Sequence, residues 1–364
     1  MIEMERMKIG ITQGDVNGVG YEVILKTFAD AEMMELCTPV IYGSPKVAAY
    51  HRKAIESQTN FTIVDSAADA QPDRLSLVNC NADEVKVELG TESAESGLAA
   101  YQALERAVDE YRKGLIDAIV TAPICKNTIH SENFPFPGHT EYFEHNLGDG
   151  RKALMILMND SLRVALVTVH EPISNVASLI SKDAVKEKIA ILNDSLKNDF
   201  GIEIPRIAVL ALNPHAGDGG LIGKEEQEQI IPAIKEMSAE GVKCFGPFPA
   251  DGFFGSADYK KFDAVLAMYH DQGIIPLKTV DMEGGVNFTA GLPVVRTSPG
   301  HGTAFDLAGK GVASEQPFRQ AVYAAIDIVR SRRNEELIHR NPLRKLYYDR
   351  RDDSDKLKLD NPEN

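Results

Sequence analysis

The stretch FDAVLAMYHDQG (residues 262–273) decides how this sequence should fold. It begins as a short apolar run typical of a buried strand, and it ends with a His-Asp-Gln group, starting at His270, where that strand would reach the surface. The same arrangement occurs twice upstream, in LRVALVTVH ending at His170 and in RIAVLALNPH ending at His215. We therefore predict three buried strands that each end in a histidine.

Short β-branched runs such as KIGIT, PVIYG and DAIVTAP alternate with amphipathic segments along the chain. The spacing of apolar residues predicts helices from about Gly20, over about 96–113 and over about 182–199, and Pro232 is predicted to start a further helical segment. This alternation predicts an α/β fold with a largely parallel sheet. The chain has 364 residues. That exceeds the length of about 250–300 residues at which a single core usually stops growing, so two domains are expected.

Composition narrows the function classes. The formal charge of -15 argues against a nucleic-acid partner, since such proteins depend on basic patches, and any anionic substrate must be held by local cations. No apolar run approaches the ~20 residues that a membrane span needs. The N-terminus lacks the layout of a secretory signal, and the four cysteines form no CxxC pair. A cytoplasmic protein with reduced thiols is expected.

The three histidines suggest a metal site. In open α/β sheets, ligands bind outside the carboxyl ends of the strands, where His170, His215 and His270 are each predicted to lie. Neutral imidazoles suit Zn²⁺, and three protein ligands with one open position are typical of a catalytic zinc site. The intervals of 45 and 55 residues match no short zinc motif, so the hypothesis rests on placement. The alternative is that each histidine ends a strand and bonds a nearby carbonyl.

A nicotinamide site has no standard signature in this sequence. No GxGxxG follows the first strand, because GDVNGVG has the wrong glycine spacing, and no GxxxxGK[ST] occurs anywhere. An ordinary Rossmann or P-loop interpretation is therefore excluded. GHGTAFDLAGKG (residues 300–311) is a glycine-rich loop that, taken alone, is better explained as a tight turn and helix cap than as a cofactor loop.

Several longer motifs occur in order between about residue 8 and about residue 330: GDVNGVGYE, VTAPICK, FPGHTEYF, LNPHAGDGG, GPFPADGFF, AMYHDQGIIPLK and GVNFTAGLPVVRTSPGHGTAFDLAG. Together they resemble the 4-hydroxythreonine-4-phosphate dehydrogenases of the pyridoxal phosphate pathway. The resemblance implies an isopropylmalate-dehydrogenase-like fold, in which two α/β domains flank a central cleft. It also implies a homodimer whose sites lie at the subunit interface. The family more often has Pro-Ala and Pro where this chain has Val16-Asn17 and Tyr21.

The resemblance also implies roles for individual residues. The expected metal ligands, one of them supplied by the partner chain, are His170, His215 and His270. The expected substrate contacts are His139, Thr140, Lys278, Asn287 and Arg296. The expected cofactor contacts are His301, Gly302, Thr303 and Asp306. The candidate catalytic residues are Asp251 and Lys278.

Some of these residues have plainer interpretations. Thr140 could be the N-cap of the helix that EYFEHNL forms, Asp251 could form an Asx turn, and Lys278 and Arg296 could be solvated surface cations. Asp218 and Asp271 are candidate outer-shell partners of the neighbouring histidines.

The implied reaction is oxidation of 4-phosphohydroxy-L-threonine by NAD or NADP to 2-amino-3-oxo-4-phosphooxybutanoate, which loses CO₂ to give 3-amino-2-oxopropyl phosphate. A divalent metal is expected, with zinc favoured over magnesium or cobalt. The alternatives are a dehydrogenase of phosphorylated threonate or erythronate, a zinc-dependent lyase or hydrolase, and a non-catalytic phosphometabolite-binding protein.

The predicted domain division follows the motifs. Residues 1–135 and 300–345 are expected to form the first α/β domain, on the cofactor side. Residues 136–299 are expected to form the second, which carries the metal and the dimer contacts. Residues 346–364 are predicted to be a charged tail.

Overall fold

A computed structural model describes residues 6–81 and 85–341, so the predicted tail and the last residues of the predicted first domain lie outside the described part. Twelve strands form one sheet in the order β3-β4-β2-β1-β5-β12-β11-β6-β7-β10-β8-β9. The strands are β1 Lys8–Thr12, β2 Thr38–Gly43, β3 Thr62–Val64, β4 Ser76–Asn79, β5 Ala118–Thr121, β6 Leu154–Met158, β7 Arg163–Leu166, β8 Arg206–Leu210, β9 Lys243–Phe248, β10 Ala264–Ala267, β11 Val286–Ala290 and β12 Arg296–Pro299.

Most neighbouring strands are parallel, and the antiparallel pairs are β6 with β7, β6 with β11 and β11 with β12. The predicted α/β class with a largely parallel sheet is therefore confirmed. One continuous sheet runs through both predicted domains, so the boundaries between them stay a prediction.

Helices cover both faces of the sheet. They are α1 Gly20–Thr27, α2 Glu32–Leu36, α3 Pro45–Ala54, α4 Ala94–Arg112, α5 Lys126–Ile129, α6 His139–Leu147, α7 Ile173–Leu179, α8 Lys182–Asn198, α9 Ile231–Ala239, α10 Ala250–Gly255, α11 His270–Val280 and α12 Gln316–Arg340. Alternate residues of a strand point to opposite faces, so Ile41 joins the core beneath α1, α8 and α12, while Val40 and Tyr42 join the core beneath α4. No helix within the described ranges is both long enough and apolar enough to cross a membrane.

The predicted helices are confirmed to within two residues, including the segment that begins beside Pro232. One apolar residue of α4, Leu98, does not lie on the buried face of the helix. Leu98 is 53% exposed, and the buried face is formed instead largely by small residues such as Ala99, Ala103 and Ala107. Alanines bring the helix axis close to the sheet, which leaves a larger leucine on the outer face.

The three histidine-bearing strands lie side by side. β10 pairs in parallel with β7 on one side and with β8 on the other. Because parallel neighbours end at the same edge, the segments that carry His170, His215 and His270 all leave the sheet on one side, as the sequence predicted.

Candidate active site

A cavity of about 250 Å³ lies over the middle of the sheet, between α6 and α11. On this face the core is divided into one cluster that includes α4 and α6 and another that includes α10 and α11. The cavity is lined by nine of the thirteen predicted site residues: His139, Thr140, His170, His270, Lys278, Asn287, Arg296, His301 and Gly302. A larger cavity of about 610 Å³ beside α8 and α12 contains none of the thirteen, so we take the smaller one as the candidate active site.

The floor of the cavity follows from strand register. Asn287 of β11 lies opposite Ser298 of β12 and Leu157 of β6. Since side chains two residues apart share a face, Arg296 projects on the same side as Ser298. The antiparallel pairing of β11 with β12 thus places Asn287, Arg296 and Ser298 in one polar patch on this face of the sheet.

Arg296 is a buried cation without a carboxylate partner in the described residues. Its side chain is among the largest that are fully buried. Nη2 and Nε donate to Thr121 Oγ1 at 2.6 and 3.1 Å, and Nη1 donates to Thr289 Oγ1 at 3.2 Å. Burial lowers the pKa of the guanidinium to about 9, so it stays charged at neutral pH. Burying an ion costs several kcal/mol unless a counter-charge is supplied, and this cavity is where an anion can supply it.

Three further polar atoms at the cavity are buried without a hydrogen-bond partner in the parts of the chain that the structure describes: His139 Nε2, Asn287 Oδ1 and His301 Nε2. Burial, helped by the positive charges of Arg296 and Lys126, holds the pKa of His139 well below its ordinary value. Burial and the Lys278 charge also lower the pKa of His301. Because buried polar atoms are nearly always paired, these atoms indicate a polar ligand.

Helix α6 begins at the cavity wall. His139 is its first residue, Gly138 precedes it in an extended conformation, and no side chain caps its first turn. Thr140 is therefore the second helical residue, so its interpretation as an N-cap is wrong. The free N–H groups at this helix start favour an anion close to Arg296.

Lys126 is a cavity residue that sequence reasoning missed. It is exposed at the start of α5, and a Cβ built on Gly138 would lie 3.8 Å from its Cε. Its ammonium group forms no ion pair or hydrogen bond that the structure shows among residues 6–81 and 85–341. The sequence contains a signal for this residue, because VTAPICK places a lysine, Lys126, just after the end of β5.

Two of the three predicted metal ligands come together. The ring centroids of His170 and His270 are 6.3 Å apart, and both rings line the cavity. His270 Nδ1 lies 2.7 Å from Asp271 Oδ1, which leaves Nε2 available to a metal, the arrangement typical of metal-binding histidines. His215 does not line this cavity, and no group of three His, Cys, Asp or Glu side chains in the described part of the chain could hold a metal. One chain thus brings two of the three predicted ligands together, and the metal role of all three histidines stays a prediction.

His215 lies in an unusual turn after β8. Five consecutive residues, from His215 (φ 52°, ψ 29°) to Gly219 (φ 66°, ψ 19°), are left-handed. This conformation costs roughly 1–2 kcal/mol for each residue other than glycine, here His215, Ala216 and Asp218. Such a turn persists only where surrounding contacts impose it, which is common at functional sites.

The remaining predicted residues lie away from the cavity. Asp251 is exposed at the start of α10, and Asp306 is exposed in the glycine-rich loop. The Thr303 carbonyl accepts a hydrogen bond from Val19 N at 3.0 Å, which ties that loop to the GDVNGVG segment. The roles of Asp251, Thr303 and Asp306 stay predictions.

Comparisons with known proteins match nearly the whole chain. The sequence profile of a family described as pyridoxal phosphate biosynthetic protein PdxA matches residues 35–325. The chain is 65% identical over 359 residues to the 4-hydroxythreonine-4-phosphate dehydrogenase of Bacteroides thetaiotaomicron, covering 99% of each protein. It is 38% identical over 327 residues to the D-threonate 4-phosphate dehydrogenase of Cupriavidus necator, covering 89% of this chain and 98% of that protein. The solved 4-hydroxythreonine-4-phosphate dehydrogenase from Klebsiella pneumoniae superposes with a TM-score of 0.77 at 33% identity, covering 90% of this chain and 99% of that one.

Proposed function

This chain belongs to the family of pyridoxal phosphate biosynthetic protein PdxA, and from that premise we propose that it is a cytoplasmic dehydrogenase of 4-phosphohydroxy-L-threonine. The product of oxidation is 2-amino-3-oxo-4-phosphooxybutanoate. This β-keto acid loses CO₂ without a further catalytic residue, since the adjacent ketone delocalises the developing negative charge. The final product is 3-amino-2-oxopropyl phosphate.

The observation that carries this proposal is the buried Arg296 guanidinium, which has no carboxylate within ion-pair distance in the described residues. A substrate with a phosphate and a carboxylate supplies the anion that this guanidinium lacks. The start of α6 and Lys126 provide further donors on the same wall, and Lys278 provides a second exposed cation on α11. In a chain with a net charge of -15, three cations at one cavity, beside the single carboxylate of Glu141, favour an anionic substrate.

The same cavity is where a nicotinamide and a divalent ion would bind. His301, with its unpartnered Nε2, and Gly302, where a Cβ would meet open space, border the cavity from the glycine-rich loop and would contact the nicotinamide side of NAD or NADP. When bound, the nicotinamide accepts a hydride and the divalent ion, which we take to be zinc, supplies the Lewis acidity that acidifies the alcohol. Lys278 would receive the alcohol proton only as a neutral amine, and Asp251 is the alternative base.

We infer that the third imidazole is His215 of a second copy. An exposed, large apolar side chain follows each histidine by three to six residues: Ile173 (72% exposed), Leu221 (82%) and Ile275 (60%). Exposed apolar residues around a polar site are typical of an interface between subunits. A homodimer would cover these side chains and complete two metal sites together.

A dehydrogenase of phosphorylated threonate is the second candidate, and the Cupriavidus necator relative is the observation that favours it. The two substrates share the phosphate and the secondary alcohol, so Arg296 and Lys126 suit both. They differ at the carbon beside the carboxylate, which carries an amine in one and a hydroxyl in the other.

An activity assay tests the proposal. Purified protein with Zn²⁺, Mg²⁺ or Co²⁺ and either NAD⁺ or NADP⁺ is expected to reduce the nicotinamide when 4-phosphohydroxy-L-threonine is added, and CO₂ should be released in equal amount. Phosphorylated threonate and erythronate are assayed in parallel. No reduction with any of the three substrates would refute the dehydrogenase, and product formed without nicotinamide turnover would favour a lyase or hydrolase.

Replacing Lys126 by methionine is expected to raise the KM for the phosphorylated substrate about tenfold, because one charge-assisted contact to the anion is lost. The thermal midpoint should not change, since the side chain is exposed. Steady-state kinetics and a melting curve provide the test. Lys235→Met, at an exposed position on α9, is the control and should leave the KM unaltered. An unchanged KM in the Lys126 variant would remove Lys126 from the site.

A further inference from the structure

The left-handed turn that carries His215 is held at its start by two side chains from other segments. Glu226 accepts a hydrogen bond from Leu212 N, just after β8. Gln272, in the MYHDQG stretch, donates one to the Ala211 carbonyl, one residue earlier. Resting on the proposed metal role of His215, we propose that Glu226 and Gln272 are positioning residues that set where this imidazole points.

Glu226 is buried, with 1% of its surface exposed, and its carboxylate is fully used by the turn. Oε1 accepts hydrogen bonds from Leu212 N at 2.8 Å and Asn213 N at 2.7 Å, and Oε2 accepts one from Asn213 Nδ2 at 3.0 Å. A Cβ built on Gly217 would lie only 2.6 Å from Glu226 Oε2. The carboxylate therefore both anchors the residues before His215 and borders the turn after it.

A carboxylate is required here for chemical reasons. A glutamine at position 226 could still accept from the two backbone N–H groups, but its NH₂ would then face the Asn213 NH₂, another donor. Turning the Asn213 amide over would not help. Its Nδ2 also donates to Glu225 Oε2 at 2.7 Å, and reversal would place an oxygen against that carboxylate. Glu226→Gln thus leaves a donor unpaired at the base of the turn.

Glu226 is itself placed by an uncommon element. Residues Glu226–Ile230 form a single π-helical turn ahead of α9, a feature often found at functional sites. Gln229 in this turn accepts a hydrogen bond from Lys182 N at 2.8 Å, which fixes it to the start of α8. Glu226, which anchors the left-handed turn, therefore belongs to a segment that is fixed to α8 through Gln229.

Gln272 links this segment to the neighbouring histidine segment. Its Oε1 accepts from Met268 N at 2.7 Å, and its Nε2 donates to the Ala211 carbonyl at 2.6 Å. Thr168 Oγ1 in turn donates to the Met268 carbonyl at 2.8 Å. A chain of hydrogen bonds thus crosses the ends of β7, β10 and β8, and it explains why a glutamine follows the His-Asp pair in the opening motif.

Zinc affinity of the purified full-length protein tests the proposal, measured by competition with a chromophoric chelator and Zn²⁺ as the sole probe. Glu226→Gln and Gln272→Met are each expected to weaken Zn²⁺ binding at least about tenfold, as outer residues of metal sites commonly do. Gln272→Met keeps the proposal testable if the buried Glu226 variant does not fold. Zinc affinities equal to the wild type in the folded variants would overturn it.

Glu110→Gln is the matched control. Glu110 is equally buried at 1% exposure and accepts from Tyr42 Oη at 2.8 Å and Ala67 N at 2.9 Å, in the half of the sheet away from the histidines. It should lower the melting temperature as Glu226→Gln does and leave zinc affinity unchanged. A wild-type protein that binds no Zn²⁺, or binds it equally well after His215→Ala, would refute the proposed metal role and this inference with it. If His215→Ala weakens Zn²⁺ binding but Glu226→Gln and Gln272→Met do not, only the positioning role is refuted.

Discussion

Replacing Arg296 by methionine is expected to lower kcat/KM about 1,000-fold while leaving the protein at least as stable as the wild type. The loss corresponds to about 4 kcal/mol, within the range for removing a buried charge from a hydrogen-bonded pair with a ligand. The unliganded protein should lose no stability, because the guanidinium is buried without an ion pair in the described residues. Its contacts there are hydrogen bonds to Thr121 and Thr289 and the Phe143 ring centroid 5.9 Å away. Exchanging such a charge for an apolar side chain of similar length is often neutral or stabilising.

Steady-state kinetics and thermal unfolding of the two proteins measure these opposite changes. Arg163→Met is the control. Arg163 is another arginine, partly buried rather than fully buried, with its guanidinium 4.6 Å from the Phe200 ring centroid, and it does not line the active-site cavity. Its kcat/KM should equal that of the wild type. An Arg296→Met protein with wild-type kcat/KM would show that the anion binds elsewhere. A marked loss of stability would show that Arg296 has a mainly structural role.

His215→Ala and His170→Ala homodimers are each expected to lose metal and activity together, with the fold retained because both side chains are exposed. A heterodimer with one substitution in each subunit should regain about half of the wild-type activity, since a site shared between chains leaves one of its two copies intact. Co-expression with two affinity tags isolates the heterodimer for assay and metal analysis.

Combining His170→Ala in one subunit with His270→Ala in the other is the matched control. These rings face each other within one chain, so both sites of this heterodimer are damaged and it should stay inactive. Activity in this control would show that His270, not His215, crosses the interface. An inactive His170/His215 heterodimer would show that those two histidines serve the same site from one chain.

Local sequence patterns determined the α/β class, the main helices and the histidines at the ends of β7, β8 and β10. They did so because apolar periodicity follows the geometry of a strand or helix, and parallel strands share one edge. The motifs from residue 139 to residue 302 also named nine residues that line one cavity.

Only the tertiary structure decided which of these groups lack partners and which residues they meet. The antiparallel placement of β11 between β12 and β6 sets Asn287 beside Ser298, and burial without an ion pair in the described residues makes Arg296 a candidate anion site. Lys126 lines the same cavity as residues far from it in the sequence. Glu226 binds the start of the His215 turn because the chain folds back on itself after that turn. Such contacts depend on the packing of the whole chain, because the charge environment of a side chain is set by everything around it and not by its neighbours along the sequence.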